Sequence, residues 1–507
     1  MTEEPAVLAA RAARTHVVVI GGGIGGLVAA RECAKVGMRV TVLEAADAVG
    51  GAIRRATLDD VVVDAGAESF ATRGGHVRAL VEELGLSDRV VSPAAGGAWL
   101  AGIPGVGAAP LPAGGILGIP ANPFQEDVRR VIGWSGAWRA YLDRVRPPLT
   151  IGHSHSLGRL VSSRMGATVR DRLVAPVTTG VYSAAPEDID VDIAAPGLNA
   201  ALTSVGSLSG AVQALREQGA GRAAKAPGSA VEGLEGGMSV LVDALVADLE
   251  GLGAEVRTRT AATALAQDGG RWTVTVRGPE TGEPDAAADA ADGDPVPEET
   301  ALPADAVIVA TPESVARDLL ADGVPALAST AAAESPEIEI VTLLLDAPAL
   351  DAAPRGTGVL TVPGSHTAKA LTHSSAKWSW VRDAAGTRHV VRVSFGAQGE
   401  PAATAALDDD AAARLALREA SALLGVPLAD AALLAAHRAR FTQSQPASII
   451  GSAERRSAAR AAVQAVPGLA AVGAWLAGTG LAQVVPDAVA ESDRVRRNLL
   501  FSGLSTT

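Results

Sequence analysis

The 507-residue chain has one cysteine, Cys33, four lysines and an aromatic content of only 3%. A single cysteine cannot close an intrachain disulfide, so no cystine framework is available and a cytoplasmic, reducing location is expected. Almost all positive charge is arginine, the lysines being Lys35, Lys225, Lys369 and Lys377, and the formal net charge is −13. With no basic stretch to offset that balance, nucleic acid is excluded as a partner. Apolar runs of spanning quality are also lacking. Val90–Gln125 carries no charge, but prolines at 93, 104, 110, 112, 120 and 123 break it, and Ala461–Pro486 is broken by Pro467. The first stretch is the candidate for a weak peripheral membrane contact. The N-terminus has acids where a signal peptide needs bases, and residues 1–15 read as a loose leader. The eight histidines make no metal-ligand spacing, His153 and His155 reading as surface residues, so no metal is expected.

What is present begins with "HVVVIGGGIGGLVAARECAKVGMRVTVLEAADAVGG", His16 to Gly51. His16–Ile20 is a β-branched run of the kind found in a buried parallel strand. It ends at Gly21-x-Gly23-x-x-Gly26, which opens a helix. In such a turn the first glycine permits the bend and the second lets the backbone approach a pyrophosphate. The third allows close helix–strand packing, and the helix start offers free N–H groups and a positive dipole end. A second strand, Arg39–Leu43, ends in Glu44, eighteen residues after Gly26, where a carboxylate can accept from an adenosine ribose. Strand, glycines, helix, strand and acid in that order predict a Rossmann-like dinucleotide site.

The rest reads as α/β, or α+β overall. Residues 16–75, 226–315 and 455–507 are expected to form one discontinuous nucleotide-binding domain. It includes a helix followed by a strand near Glu255–Arg257, a strand at Arg271–Arg277 and a buried strand in "ADAVIVATP". The acidic Ala/Asp/Pro tract at 280–300 reads as a disordered insertion. Residues 76–225 read as a helical lobe, from apolar residues at helical spacing in "SLGRLVSSRMGATVRDRLVAPVTTGVYSA". Residues 316–454 alternate at period two over several runs, which predicts a mixed or antiparallel sheet forming a substrate platform.

Gly50-Gly51 after the ribose acid and "DAGAESF" (Asp64–Phe70) resemble the FAD-binding flavin amine oxidase superfamily. Within it, "DAGAESFATRGG", "PLPAGGILGIP", "APVTTGVYSA", "GLEGGMSVLVDAL", "SSAKWSW" and "GAWLAGTGLAQVVPDAV" resemble bacterial coproporphyrinogen III and protoporphyrinogen oxidases, in order along nearly the whole chain. The resemblance implies non-covalent FAD, a tetrapyrrole substrate and molecular oxygen as acceptor, with hydrogen peroxide as product. Downstream haem-synthesis enzymes are then the expected protein partners. It carries Gly21, Gly23, Gly26, Glu44 and Gly51 over as phosphate and ribose contacts, with Gly22, Ile24, Gly25 and Ala45 beside them. Ala65, Gly66, Ala67 and Glu68 would line the flavin side, Val256 would meet adenine through its backbone, and Phe441, Gly478, Thr479 and Gly480 would meet the ring system. The start of the closing helix beyond Gly480 would favour negative charge on the flavin. On the substrate side it implies Arg73 for a propionate, Val181 for the macrocycle and Lys377 for the platform. Chemistry centred on the flavin implies no catalytic triad, and no catalytic side chain is singled out.

The chain departs from the family at four places. Ala52 stands where a basic residue often follows the glycine pair, with Arg54 or Arg55 as candidate substitutes. Gly74 replaces a basic residue after the "ESF" turn, and Phe441 and Ser448 occupy the positions of a Trp and of a "PQY" motif. Three other readings compete with coproporphyrinogen oxidation. Protoporphyrinogen IX oxidation differs in substrate alone. A flavin amine oxidase would want an aromatic cage, and the chain has two tyrosines, Tyr141 and Tyr182. A non-enzymatic binding or chaperone protein of the same fold would not need intact glycines and Glu44.

Overall fold

The computed structural model describes residues 5–145, 154–219, 231–278 and 299–501. Five short strands form an all-parallel sheet in the order Glu255–Arg257, Arg39–Leu43, His16–Ile20, Ala306–Val309 and Leu469–Ala471. Its central strand is buried at every residue, as both faces are covered. One face carries the helices Ile24–Ala34, Ser239–Gly251 and Leu481–Phe501. The other packs against an antiparallel meander (Ala261–Asp268, Arg271–Arg277, Glu299–Ala304) and the helices Glu313–Leu320 and Ser452–Gln464. Strands far apart in sequence thus meet side by side.

The second sheet has seven strands, in the order Leu433–Thr442, Glu337–Leu345, His389–Phe395, Ala370–His373, Gly358–Thr361, Ala98–Ile103 and Gly107–Pro110. It is mixed, Gly358–Thr361 running parallel to Ala98–Ile103 and the other pairs antiparallel. Its back face buries Val341, Val359, Leu371 and Val393 against the helix Asp409–Leu424. A lobe of helices between 126 and 219 has its own core of Val128, Leu157, Val161, Leu173 and Leu208. Inside it the Arg164 Nε lies 2.5 Å from Asp143 Oδ1, and the same carboxylate accepts from the Leu208 N–H, so this buried charge is fully engaged.

Three sequence expectations are corrected here. The stretch expected to be a loose leader contains a helix, Pro5–Arg14, which buries Ala12 and donates from Arg11 to the Leu500 carbonyl. Residues 76–225 are not helical throughout: the helix His76–Glu83 packs its Val77, Leu80 and Val81 into the nucleotide-side core. The same span gives two strands to the seven-stranded sheet. The uncharged Val90–Gln125 contributes strands that bury Leu100, Ile103, Ala109 and Ile119, while Val106 is 45% exposed. Of the tract expected at 280–300, residues 280–298 lie outside the described residues, and Glu299 and Thr300 belong to a strand. Among the described residues no helix is long and apolar enough to cross a membrane.

Candidate functional site

The glycine turn is held from three sides. Gly21 (φ 108°) donates its N–H to the Leu43 carbonyl at 2.7 Å, and the Gly22 N–H donates to Glu44 Oε2 at the same distance. Gly23 pairs with Gly50, whose N–H donates to the Gly22 carbonyl at 2.8 Å. A Cβ at Gly26 would run into the Gly21 carbonyl, so only glycine allows the helix to approach the turn. Ile24 and Gly25 open the buried helix, and Gly25 abuts Gly473 from the C-terminal segment. Glu44 also accepts from the Ala46 N–H at 2.9 Å, while Ala45 is exposed beside it.

A cavity of about 810 Å³ brings together Glu44, Gly51, Arg54, Val242 and Val256. Arg54, not Arg55, stands at the glycine pair in place of the missing basic residue at 52. Its Nε donates to the Gly51 carbonyl at 2.9 Å, and its guanidinium lies 5.3 Å from the Phe441 ring centroid. Arg55 is engaged by Asp243 at 2.5 Å. The Thr311 hydroxyl, whose backbone borders Gly21, is buried with no protein partner. Open backbone at Gly23 and Gly51, a ribose-level carboxylate, an adjoining cavity and an orphaned hydroxyl fit a bound dinucleotide.

The second half of the site is the turn Ala65–Glu68. A Cβ at Gly66 would strike the Ala52 carbonyl, and Ala67 donates its N–H to that same oxygen at 3.0 Å. Phe441 reaches to within 3.2 Å of the place a Gly66 Cβ would take. Arg392 donates to the carbonyls of Ala65 and Gly66 and, at 2.8 Å, to Glu68. Glu68 also accepts from Lys377 at 2.6 Å and from the Ser374 hydroxyl at 3.2 Å. Burial pushes its carboxyl up, but the charges and hydrogen bonds of Lys377 and Arg392 outweigh that and hold it at about 2. Asp64, two residues before Gly66, is pushed up to about 6 by burial, against the Met238 N–H it accepts from at 2.9 Å. In the C-terminal segment Gly478 (φ 114°) packs against Gln483 and Ala447, with Thr479 exposed and Gly480 accepting from the Gln483 N–H at the start of the final helix.

The front face of the seven-stranded sheet is a floor. Ile340, Gly358, Leu360, Ala370, Thr372 and Ser394 are half-buried there, while their alternating neighbours are closed into the back core. The run 167–182 includes two π-helical stretches, Arg170–Val174 and Thr178–Tyr182, and overhangs this floor, with Gly180 packed on Leu360. Val181 at its tip is 64% exposed. Arg73, also exposed, is near enough for its charge to act on the Tyr182 phenol, so Arg73 and Val181 share one region. Lys377, expected on the platform, pairs with Glu68, and its side chain is 18% exposed. Ser448 is buried, its hydroxyl without a partner and its carbonyl accepting from the Asp190 N–H. Lys369, beside a cavity of about 590 Å³, is pushed down to about 8 by burial and donates to the Ser183 hydroxyl at 2.6 Å.

Sequence reasoning missed Arg392 and Ser374. Arg392 had a signal: it is the single arginine in the apolar strand "HVVRVSF", and a buried charge there needs a partner. His153 lies outside the described residues. His155, Asp190 and Asp192 are grouped on the lobe, but Asp190 accepts from the Asp192 N–H and Asp192 from Asn199, both at 2.9 Å.

A family model described as flavin containing amine oxidoreductase matches residues 24–497. A protein of Mycobacterium bovis named coproporphyrinogen III oxidase is 31% identical over 402 residues, 77% of this chain and 78% of its own. A Bacillus subtilis protein of the same name is 25% identical over 486 residues, 94% of this chain and 96% of its own. Among solved structures, a putative protoporphyrinogen oxidase from Exiguobacterium sp. 255-15 superposes with a TM-score of 0.76 at 22% identity, covering 96% of this chain and 99% of that one.

Proposed function

Since this chain belongs to the flavin containing amine oxidoreductase family, as an FAD-dependent oxidase with porphyrinogen oxidases as relatives, we propose that it oxidises coproporphyrinogen III to coproporphyrin III in haem biosynthesis. The relatives' names support porphyrinogen oxidation. The geometric observation that carries the reading is the broad, half-exposed floor beneath Val181, next to a flavin-side turn fixed by Arg392 and Glu68. A porphyrinogen has methylene bridges that lose hydride readily, because the pyrrole nitrogens stabilise the resulting cation. The protein must therefore chiefly position the macrocycle and exclude water.

When bound, the flavin supplies the hydride acceptor, and oxygen restores it with release of hydrogen peroxide. Three such two-electron rounds balance the six hydrogens lost between porphyrinogen and porphyrin. In this reading FAD is held non-covalently: Cys33, the single cysteine, is buried in the helix Ile24–Ala34 and far from the flavin-side turn in sequence. Gly21–Gly26 and Gly51 present backbone to the pyrophosphate, Glu44 accepts from the ribose, and the Val256 backbone meets adenine. Gly66, Phe441 and Gly478–Gly480 border the ring system. Arg73 pairs with a carboxylate arm of the substrate, and Val181 packs on its face.

Anaerobic mixing of the purified holoprotein with coproporphyrinogen III tests this directly. The flavin absorption should bleach as porphyrin fluorescence rises, and putrescine or benzylamine should leave it unchanged. Bleaching by an amine alone would move the chain to amine oxidation, and a protein that binds no flavin would support the binding-protein alternative.

A further inference from the structure

In the proposed function the run 167–182 lies over the substrate, and its end is held by a group the flavin site does not use. The π-helical stretch Thr178–Tyr182 stops at Ser183, whose backbone is left-handed (φ 56°, ψ 29°). A serine in that conformation is strained, and the strain persists only where neighbours fix it. Two hydrogen bonds from the seven-stranded sheet do so. The Ser183 hydroxyl accepts from Lys369 Nζ at 2.6 Å, and its carbonyl accepts from the Gln398 N–H at 2.9 Å. Lys369 immediately precedes the strand Ala370–His373, and Gln398 follows the strand His389–Phe395. Gly180 adds a packing contact, lying against Leu360 and the Lys369 carbonyl. Ser183 is buried by these contacts, while Val181, two residues earlier, stays exposed.

Lys369 differs from the other described lysines. Lys35 is paired with Glu32 and Glu83, and Lys377 with Glu68. No carboxylate among the described residues pairs with Lys369, which burial pushes down to about 8. Carrying its charge at pH 7 therefore costs the fold stability. The cavity of about 590 Å³ beside it is also lined by Arg170, Asp171, Glu187, His366 and Glu400. Arg170 is engaged by Asp171 at 2.6 Å and Glu187 at 3.4 Å, His366 lies 3.6 Å from Glu419, and Glu400 is exposed. An uncharged side chain of the same length would pack there without the cost of burying an ammonium. What the ammonium adds is its hydrogen bond to Ser183.

We propose that Lys369 is a positioning residue for the substrate: acting through Ser183, it fixes the Thr178–Tyr182 turn above the floor. The proposal rests on the floor being the substrate site, and Lys369 itself touches no substrate. Lys369→Met, Ser183→Ala, their double variant and Lys369→Arg test it in the holoprotein. Lys369→Met should raise KM for coproporphyrinogen III about fivefold or more, with kcat and the flavin spectrum kept. A lysine of merely structural value would leave KM unmoved. Ser183→Ala should raise KM by a similar factor, and the double variant no further, because all three lack the same hydrogen bond. Lys369→Arg restores a cationic donor, for which the adjoining cavity has room, and should bring KM back to within about twofold of the wild type. Hydrogen–deuterium exchange without substrate should quicken about tenfold over 178–184 in Lys369→Met, and stay unchanged in His389–Phe395. Unchanged exchange over 178–184, quickened exchange with unchanged KM, or additive effects in the double variant would each overturn the proposal. A wild type inert towards porphyrinogens overturns the substrate reading instead, before any variant is compared, and exchange alone then decides whether Lys369 anchors the turn.

Discussion

At the scale of single residues, the Glu68 cluster makes the sharpest claims. Its carboxylate faces the cations of Lys377 and Arg392, with side-chain exposures of 12%, 18% and 7%. Glu68→Gln leaves two cations without their anion, and should cost about 3–5 kcal/mol in chemical denaturation. Glu68 sits at about 2 in the fold, below the roughly 4.3 of an unfolded glutamate. Its stabilisation is therefore complete above the unfolded value and is lost as pH falls from about 4 towards 2. The wild type should lose stability across that window, and the variant should lack that part of the slope. Lys369 titrates with the opposite penalty. Held near 8, it disfavours the fold fully below pH 8 and progressively less as pH rises towards about 10.4. Lys369→Met should therefore raise the thermal midpoint at pH 7, and the gain should shrink by pH 10. The turn that carries Glu68 was legible from sequence, because it is a local motif. Its partners were not, since Lys377 and Arg392 reach it from more than 300 residues away.

At the scale of elements, what was legible followed local signals. The glycine turn, the strand Glu255–Arg257 and the strand within "ADAVIVATP" fell where periodicity and turn residues put them. What was missed depended on distant pairing. Ala98–Ile103 lies in a Gly/Pro-rich stretch and becomes a sheet strand by pairing with Gly358–Thr361, about 260 residues on. The helix Pro5–Arg14 lies against the end of the chain through Arg11 and Leu500, an anchor that nothing near it in sequence signals. Two predictions belong to this scale. Gly66→Ala should sharply lower the flavin carried through purification, read from the ratio of visible to protein absorbance, because its Cβ meets the Ala52 carbonyl. Val181→Trp, at the tip of the π-helical overhang, should lower kcat/KM by about tenfold with flavin content unchanged.

At the scale of the whole molecule, the proposed reading makes the parallel sheet a nucleotide cradle, the seven-stranded sheet a floor and the helical lobe a roof. The turn Ala65–Glu68 is joined to the seven-stranded sheet through Arg392, which in the proposed reading links the cofactor side to the substrate side. The proposed carboxylate-bearing substrate would be received against a net charge of −13, so local arginines would have to supply the attraction. If Arg73 meets a carboxylate arm, Arg73→Ala should raise KM for the tetracarboxylate coproporphyrinogen more than for the dicarboxylate protoporphyrinogen, and leave the flavin spectrum unchanged.

The most direct test of this account is turnover of the purified holoprotein on coproporphyrinogen III and protoporphyrinogen IX in parallel, following porphyrin fluorescence and peroxide together. The account predicts a higher kcat/KM for coproporphyrinogen III, with three peroxides released per porphyrin formed. A flavin-loaded protein that oxidises neither porphyrinogen would contradict it.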